Sequence, residues 1–164
     1  MMIENKNVIS FTAVKLPYGW LGNMSPGVIS YQEKEYRTSE ALFQCLRFKD
    51  YPEIQDSIRN AKSPMAAKMI AKKEKKRLID SGVVLLGDED IERMMLCLKL
   101  KIEQVKGIKE MLLDTGDKIL IEDISLRTNS QSNLFWGMFN IEDTWRGKNN
   151  LGNCWMKIRS GLSS

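Results

Sequence analysis

The sequence predicts an α+β fold, predominantly helical, with a small β-sheet, as a single domain over residues 1–164. Three observations lead there. Apolar residues recur at helical spacing through most of the middle of the chain. Short β-branched stretches lie near both ends, around Val8 and Ile119. The 164 residues, 43% hydrophobic and 28% charged, have an ordinary globular balance and suffice for one core without staples.

The elements follow in order. Asn7 to Val14 reads as a strand, and Pro17 to Gly27 is rich in Gly, Pro and Asn and reads as turns. Val28 to Tyr31 and Glu35 to Tyr36 pair as a hairpin through Glu33-Lys34. Thr38 to Phe48 is a helix, Tyr51-Pro52 interrupts the pattern, and a short helix covers Glu53 to Asn60. Ser63 caps the next helix and Pro64 fits its first turn. That helix runs to about Asp80 with Met65, Ala66, Met69 and Ile70 inward, and Ser81-Gly82 ends it. Asp88 to Val105 is a further helix, opened by acids that suit the positive end of its dipole. Gly107 separates it from a helix over Ile108 to Leu113, and Thr115-Gly116-Asp117 turns into a strand, Lys118 to Glu122. Asn129 to Asn133 reads as polar loop and Leu151 to Ser160 as a final helix. The sheet draws on both ends of the chain.

Composition removes several classes of function. There is no histidine, which excludes Ser-His-Asp and Cys-His catalysis and histidine metal sites. Cys45, Cys97 and Cys154 are far apart, form no C-x-x-C pair and read as buried reduced thiols of a cytoplasmic protein, so neither zinc nor disulfides are expected. No phosphate-cradling G-x-x-x-x-G-K-[ST] or G-x-G-x-x-G motif occurs, and no cofactor is expected. No apolar run of about 18 residues exists for a membrane span. The start, Met1 to Asn7, lacks a charged-then-apolar leader layout. The net charge of +4 is compatible with a polyanionic partner without requiring one, and no obligatory protein partner is evident. Lys72, Lys73, Lys75, Lys76 and Arg77 form the densest basic run, either a solvated helix face or an attractor of phosphate.

The helix from Thr38 to Phe48 is the most informative segment. At about 100° per residue, Glu40, Gln44 and Arg47 fall on one line, while Ala41, Leu42, Phe43, Cys45, Leu46 and Phe48 cover the remaining circumference. A helix apolar nearly all round is buried. Burying the polar stripe is costly unless its members are paired or line a wet cleft. Two readings remain: Glu40 and Arg47 neutralise each other inside the core, or the stripe walls a ligand site.

Seven segments stand in a set order over about Phe11 to Leu162. They are L-G-N-M-S-P at Leu21 to Pro26, T-S-E-A-L-F-Q followed by Phe48, and S-P-M-A-A-K at Ser63 to Lys68. Met94 with K-I-E-Q ending at Gln104 and L-L-D-T-G-D with Leu120 and Glu122 come next. F-W-G at Phe135 to Gly137 and G-K-N-N-L-G at Gly147 to Gly152, leading to Met156 and Arg159, close the series, and together the seven resemble the NADAR or YbiA-like family.

The resemblance implies an N-glycoside hydrolase acting on a ribose C1–N bond. Members are similar to enzymes that remove ADP-ribose from the guanine amino group of nucleic acid, reversing DarT-type toxins in an antitoxin-like role. Other members are linked to hydrolysis of riboflavin-pathway phosphoribosyl intermediates. The family's catalytic carboxylate maps onto Glu40, its tryptophan beside glycine onto Trp136, and a recurring lysine onto Lys101. Three positions depart from the family pattern: Asn133 stands where Asp is frequent, Arg47 where Lys is usual, and Leu86 where Trp is common. An imine with ribose cannot form at Arg47, because guanidinium is not a usable nucleophile, whereas Lys101 remains available.

The chemistry is consistent with these residues. Cleavage builds oxocarbenium character on the ribose, which a buried carboxylate stabilises or for which it activates water. Trp136 either stacks on a purine, with Gly137 allowing close approach, or belongs to the core. Gly147, Lys148 and Asn149, before a helix start, form either a pyrophosphate seat or an ordinary turn and cap. Asn23 is a ligand contact or a turn residue. The expected catalytic set is Glu40, Lys101, Asn133 and Trp136, and the substrate-binding set is Asn23, Gln44, Arg47, Gly137, Gly147, Lys148 and Asn149, with no metal. A catalytically weakened ADP-ribose or nucleotide binder is the reading from a different class, motivated by Asn133 and Arg47.

Overall fold

A computed structural model describes residues 5–162. The first four residues, part of the start that carries no leader pattern, and the last two lie outside it. In chain order the elements are β1 (Val8–Phe11), β2 (Ile29–Tyr31), β3 (Lys34–Tyr36), α1 (Ser39–Arg47), α2 (Pro52–Arg59), α3 (Pro64–Lys73) and α4 (Lys75–Asp80). They continue as α5 (Asp88–Gln104), α6 (Ile108–Asp114), β4 (Ile119–Glu122), α7 (Gln131–Trp136), β5 (Met138–Ile141), β6 (Thr144–Gly147) and α8 (Asn150–Leu162). The fold is α+β with helix in excess. The chain divides into two compact units, Asn23–Lys106 and Met1–Gly22 with Gly107–Ser164.

In the unit Asn23–Lys106, α1 is the central helix. Thr38 starts it in extended conformation, its hydroxyl accepting from the Ala41 N–H at 3.2 Å. Its residues Ser39 to Cys45 are buried, and it packs against α2, α3 and α5. The β2–β3 hairpin pairs Ile29 with Tyr36 and Tyr31 with Lys34. Its turn is Gln32-Glu33, one residue earlier than expected, with both residues left-handed (φ 48° and 65°), the geometry a two-residue hairpin requires. The helix expected from Ser63 to Asp80 breaks at Glu74 into α3 and α4. Its inner face is also different: Ala67, Ala71 and Leu78 are buried, whereas Met65 and Met69 are exposed. Small alanines let α3 approach α1 and α2 closely, and the methionines are turned outward.

In the other unit, β1 and β4 pair in parallel, Val8 opposite Ile119 and Phe11 opposite Glu122, so strands from the two ends of the chain do meet. The single small sheet expected is, among the described residues, three two-stranded pairs. The third pair, β5 with β6, was not foreseen; it turns through Glu142-Asp143, both left-handed. Ile121, Met138 and Trp145 form a core cluster. The stretch expected as loop to Asn133 instead enters α7, because the Ser130 hydroxyl accepts from the Asn133 N–H at 3.1 Å and caps it. Trp155 is fully buried, donates to the Leu21 carbonyl at 2.8 Å and meets Trp20 edge to face, a core role. All three cysteines are buried and unbridged.

Candidate active site

Glu40 sits in the first turn of α1, where the helix dipole favours a negative charge. It is 8% exposed, and its Oε1 accepts from Gln44 Nε2 at 2.8 Å, the i,i+4 bond that the stripe permits. Gln44 Oε1 is a buried acceptor left without a donor among the described residues. A buried carboxylate and an unanswered carbonyl oxygen therefore stand side by side.

Arg47 does not join them. Its Nε donates to Asp90 Oδ1 at 3.0 Å and its Nη2 to Oδ2 at 2.5 Å, while its guanidinium lies 4.6 Å from the Phe43 ring centroid. The alternative in which Glu40 and Arg47 neutralise one another is therefore replaced by an Arg47–Asp90 bridge. Asp90 also accepts from the Leu86 N–H at 2.6 Å and from Arg93 at 2.8 Å. Burial alone would raise the Asp90 carboxyl, but these hydrogen bonds and the Arg47 charge hold it below its ordinary value. Arg47 therefore has a structural partner in Asp90. Leu86, at the family's tryptophan position, holds a left-handed φ of 55° and supplies a backbone donor to this cluster.

Asn23 and Ser25 tie the site to α5. The Asn23 carbonyl accepts from the Glu40 N–H at 3.1 Å and from the Ser39 hydroxyl at 3.1 Å, and Asn23 Nδ2 donates to Met94 Sδ at 3.1 Å. Two residues on, the Ser25 hydroxyl accepts from Lys101 Nζ at 2.7 Å. Lys101 is 1% exposed, and burial lowers its ammonium from 10.5 to about 7. One short loop thus touches both the backbone of the carboxylate residue and the amine. Asn23, Glu40, Gln44 and Lys101 lie in one unit, linked by these bonds and by the packing of α1 on α5.

The remaining expected residues lie in the other unit. Trp136 ends α7, buried, with its ring 4.8 Å from that of Phe135 at 90°. Asn133 Nδ2 donates to the Thr128 carbonyl at 2.8 Å, closing the approach to α7. Gly137 and Gly147 are required by packing. A Cβ on Gly137 would lie 2.6 Å from the Glu122 carbonyl oxygen, and one on Gly147 2.3 Å from the Gly137 carbonyl oxygen. Close approach is thus made to the chain's own backbone. Asn149 is a clamp on β4, its Oδ1 accepting from the Glu122 N–H at 3.1 Å and its Nδ2 donating to the Leu120 carbonyl at 2.9 Å. The N–H groups of Lys148 and Asn149 donate to the Leu134 and Gly137 carbonyls. Exposed Lys148 keeps its cation 5.8 Å from the Phe135 ring centroid.

Ser25, Met94 and Asp90 were missed as individual residues. Ser25 and Met94 stand within the family-like motifs, but neither spacing nor residue type says that a serine will meet a lysine 76 positions away. Among the described residues, no group of three or more His, Cys, Asp or Glu side chains could hold a metal ion.

The fold and this arrangement define a helix-rich α+β protein with a buried carboxylate on α1 and a buried amine on α5. Residues 10–163 match the model of the NADAR domain family, and the chain belongs to that family. It is similar to the N-glycosidase Npun_R5314 of Nostoc punctiforme, 28% identical over 160 residues, which span 94% of this chain and 92% of that protein. The fold is shared with the E. coli protein YbiA, whose NMR structure aligns with a TM-score of 0.71 at 24% identity, over 99% of this chain and 88% of that one.

Proposed function

We propose that this chain is an N-glycosyl hydrolase that removes ADP-ribose from the guanine amino group of DNA or RNA. Family membership and the N-glycosidase relative support the glycosidase class. The observation that carries the reading is Lys101, an amine held near neutrality by burial in the same unit as buried Glu40. Nitrogen can attack a carbon centre only through an unprotonated lone pair, and a lysine at about 7 supplies one at neutral pH. The Lys101–C1 bond forms as the C1–N bond to guanine breaks and guanine takes up a proton, and water then hydrolyses the adduct to release ADP-ribose and the free amine. Glu40 stabilises the positive charge that grows on the ribose as the C1–N bond breaks, or activates water. Gln44 holds that carboxylate in place through its amide. Incubation with an oligonucleotide carrying ADP-ribosylguanine, followed by mass spectrometry, tests the reading: intact ADP-ribose and unmodified guanine are expected. Retention of the adduct, with ADP-ribose merely bound, would favour a binding module instead.

A further inference from the structure

The unit Asn23–Lys106 contains a cavity of about 50 Å³ lined by neither Glu40 nor Lys101; Arg37, Arg59 and Lys62 border it with Thr38 and Ser63, and small or apolar residues of α1, α2, α3 and the α2–α3 connection make up the rest. One water needs roughly 10–15 Å³ of such space, so the cavity admits a cluster of several oxygen-sized atoms. None of its lining residues is acidic. We propose that this cavity seats a phosphate group.

Two of the cations are held in position by contacts within the unit. Arg37 Nη1 donates to the Ala61 carbonyl at 3.2 Å. Arg59 pairs with Asp56, which lies outside the lining and partly neutralises it, and its guanidinium stands 5.9 Å from the Tyr36 ring centroid, so Arg37 and Lys62 carry most of the seat's positive charge. Lys62 is exposed at the rim. A multivalent oxyanion matches this set because guanidinium forks and an ammonium donate to several oxygens at once. The capping hydroxyls of α1 and α3 accept from the Ala41 and Ala66 N–H groups and keep their own O–H groups to donate to an oxyanion beside the cations. Phosphate can arrive as a backbone diester of a strand or on a small molecule. Exposed Lys72 and Lys73 at the other end of α3, about 15 Å along the helix, favour a strand. That choice of source rests on the proposed nucleic-acid substrate, whereas the seat does not.

The test uses the full chain and measures binding without turnover, so the seat and the hydrolase reading can fail separately. Inorganic phosphate is titrated against wild type and an Arg37→Glu/Lys62→Glu variant, with chloride as control, following backbone amide resonances. Saturable shifts at Thr38, Lys62 and Ser63 are expected in wild type and absent in the variant. Binding of an unmodified single-stranded oligonucleotide is then measured across salt. With one phosphate fewer neutralised, the log–log slope should become shallower by about 0.7. Saturable phosphate binding with an unaltered oligonucleotide slope supports the seat and assigns it to a small phosphorylated ligand. Phosphate shifts no larger than those of chloride, or equal in both proteins, overturn the proposal. If charge reversal disturbs folding, Arg37→Gln/Lys62→Gln is the milder pair.

Discussion

Arg47 and Asp90 form a two-point bridge, Nε to Oδ1 at 3.0 Å and Nη2 to Oδ2 at 2.5 Å, with Asp90 wholly buried. This bridge removes Arg47 from the polar stripe of α1, leaving Glu40 and Gln44 to each other. In the proposed mechanism, stability and chemistry thus fall to different residues of one helix.

Asp90→Asn should therefore be strongly destabilising. Removing one partner leaves Arg47 and Arg93 beside a neutral amide in a buried setting, which typically costs about 3–5 kcal/mol. Urea unfolding measures it, and a loss below about 1 kcal/mol would show that the bridge matters little.

Glu40→Gln should behave in the opposite way. With no arginine depending on Glu40, stability should change by about 1 kcal/mol or less. Release of ADP-ribose should fall by about 10²-fold or more. A folded variant with parental activity would remove Glu40 from the mechanism.

Lys101 makes a prediction about pH. Its folded value is lowered from 10.5 to about 7, so below pH 7 both folded and unfolded states carry the proton and the folded state bears the whole burial penalty. Between about pH 7 and 10.5 the unfolded chain binds more protons, and this group's contribution makes stability rise with pH. Lys101→Met should remove that component and be more stable than wild type near pH 7. Wild-type activity should rise through about pH 7 as the amine loses its proton, and Ser25→Ala should alter that profile by removing the 2.7 Å acceptor. A rate independent of pH between 6 and 8 would argue against an amine nucleophile.

The basic run on α3 and α4 is already partly neutralised. Lys76 bonds Asp80 at 2.8 Å, and Arg77 bonds Glu53 and Glu74, each at 3.1 Å. Lys72→Glu/Lys73→Glu should flatten the salt dependence of oligonucleotide binding by about 0.7 for each phosphate that is no longer neutralised. Cleavage of a lone ADP-ribosylated guanosine should be nearly unchanged. Equal salt slopes for wild type and variant would leave the run a solvated helix face.

The helical segments were legible because hydrophobic spacing, proline and capping residues act locally. Thr38, Ser63-Pro64 and the acids at Asp88 to Asp90 mark their helix starts through bonds and charges within a few residues. Glu40 and Gln44 were legible as a stripe for the same reason. The partners of Arg47 and Lys101, by contrast, come from afar: Asp90 is 43 positions from Arg47, and Ser25 is 76 from Lys101. Likewise Gly137, Gly147 and Asn149 stand out in sequence as motif residues, yet only the packed strands show that their tight contacts are with the chain's own backbone. Sequence patterns determine which elements form, because those forces act over one or two helical turns. Which buried charge meets which partner is decided only when distant elements exclude water together, since the cost of an unpaired group arises at that burial.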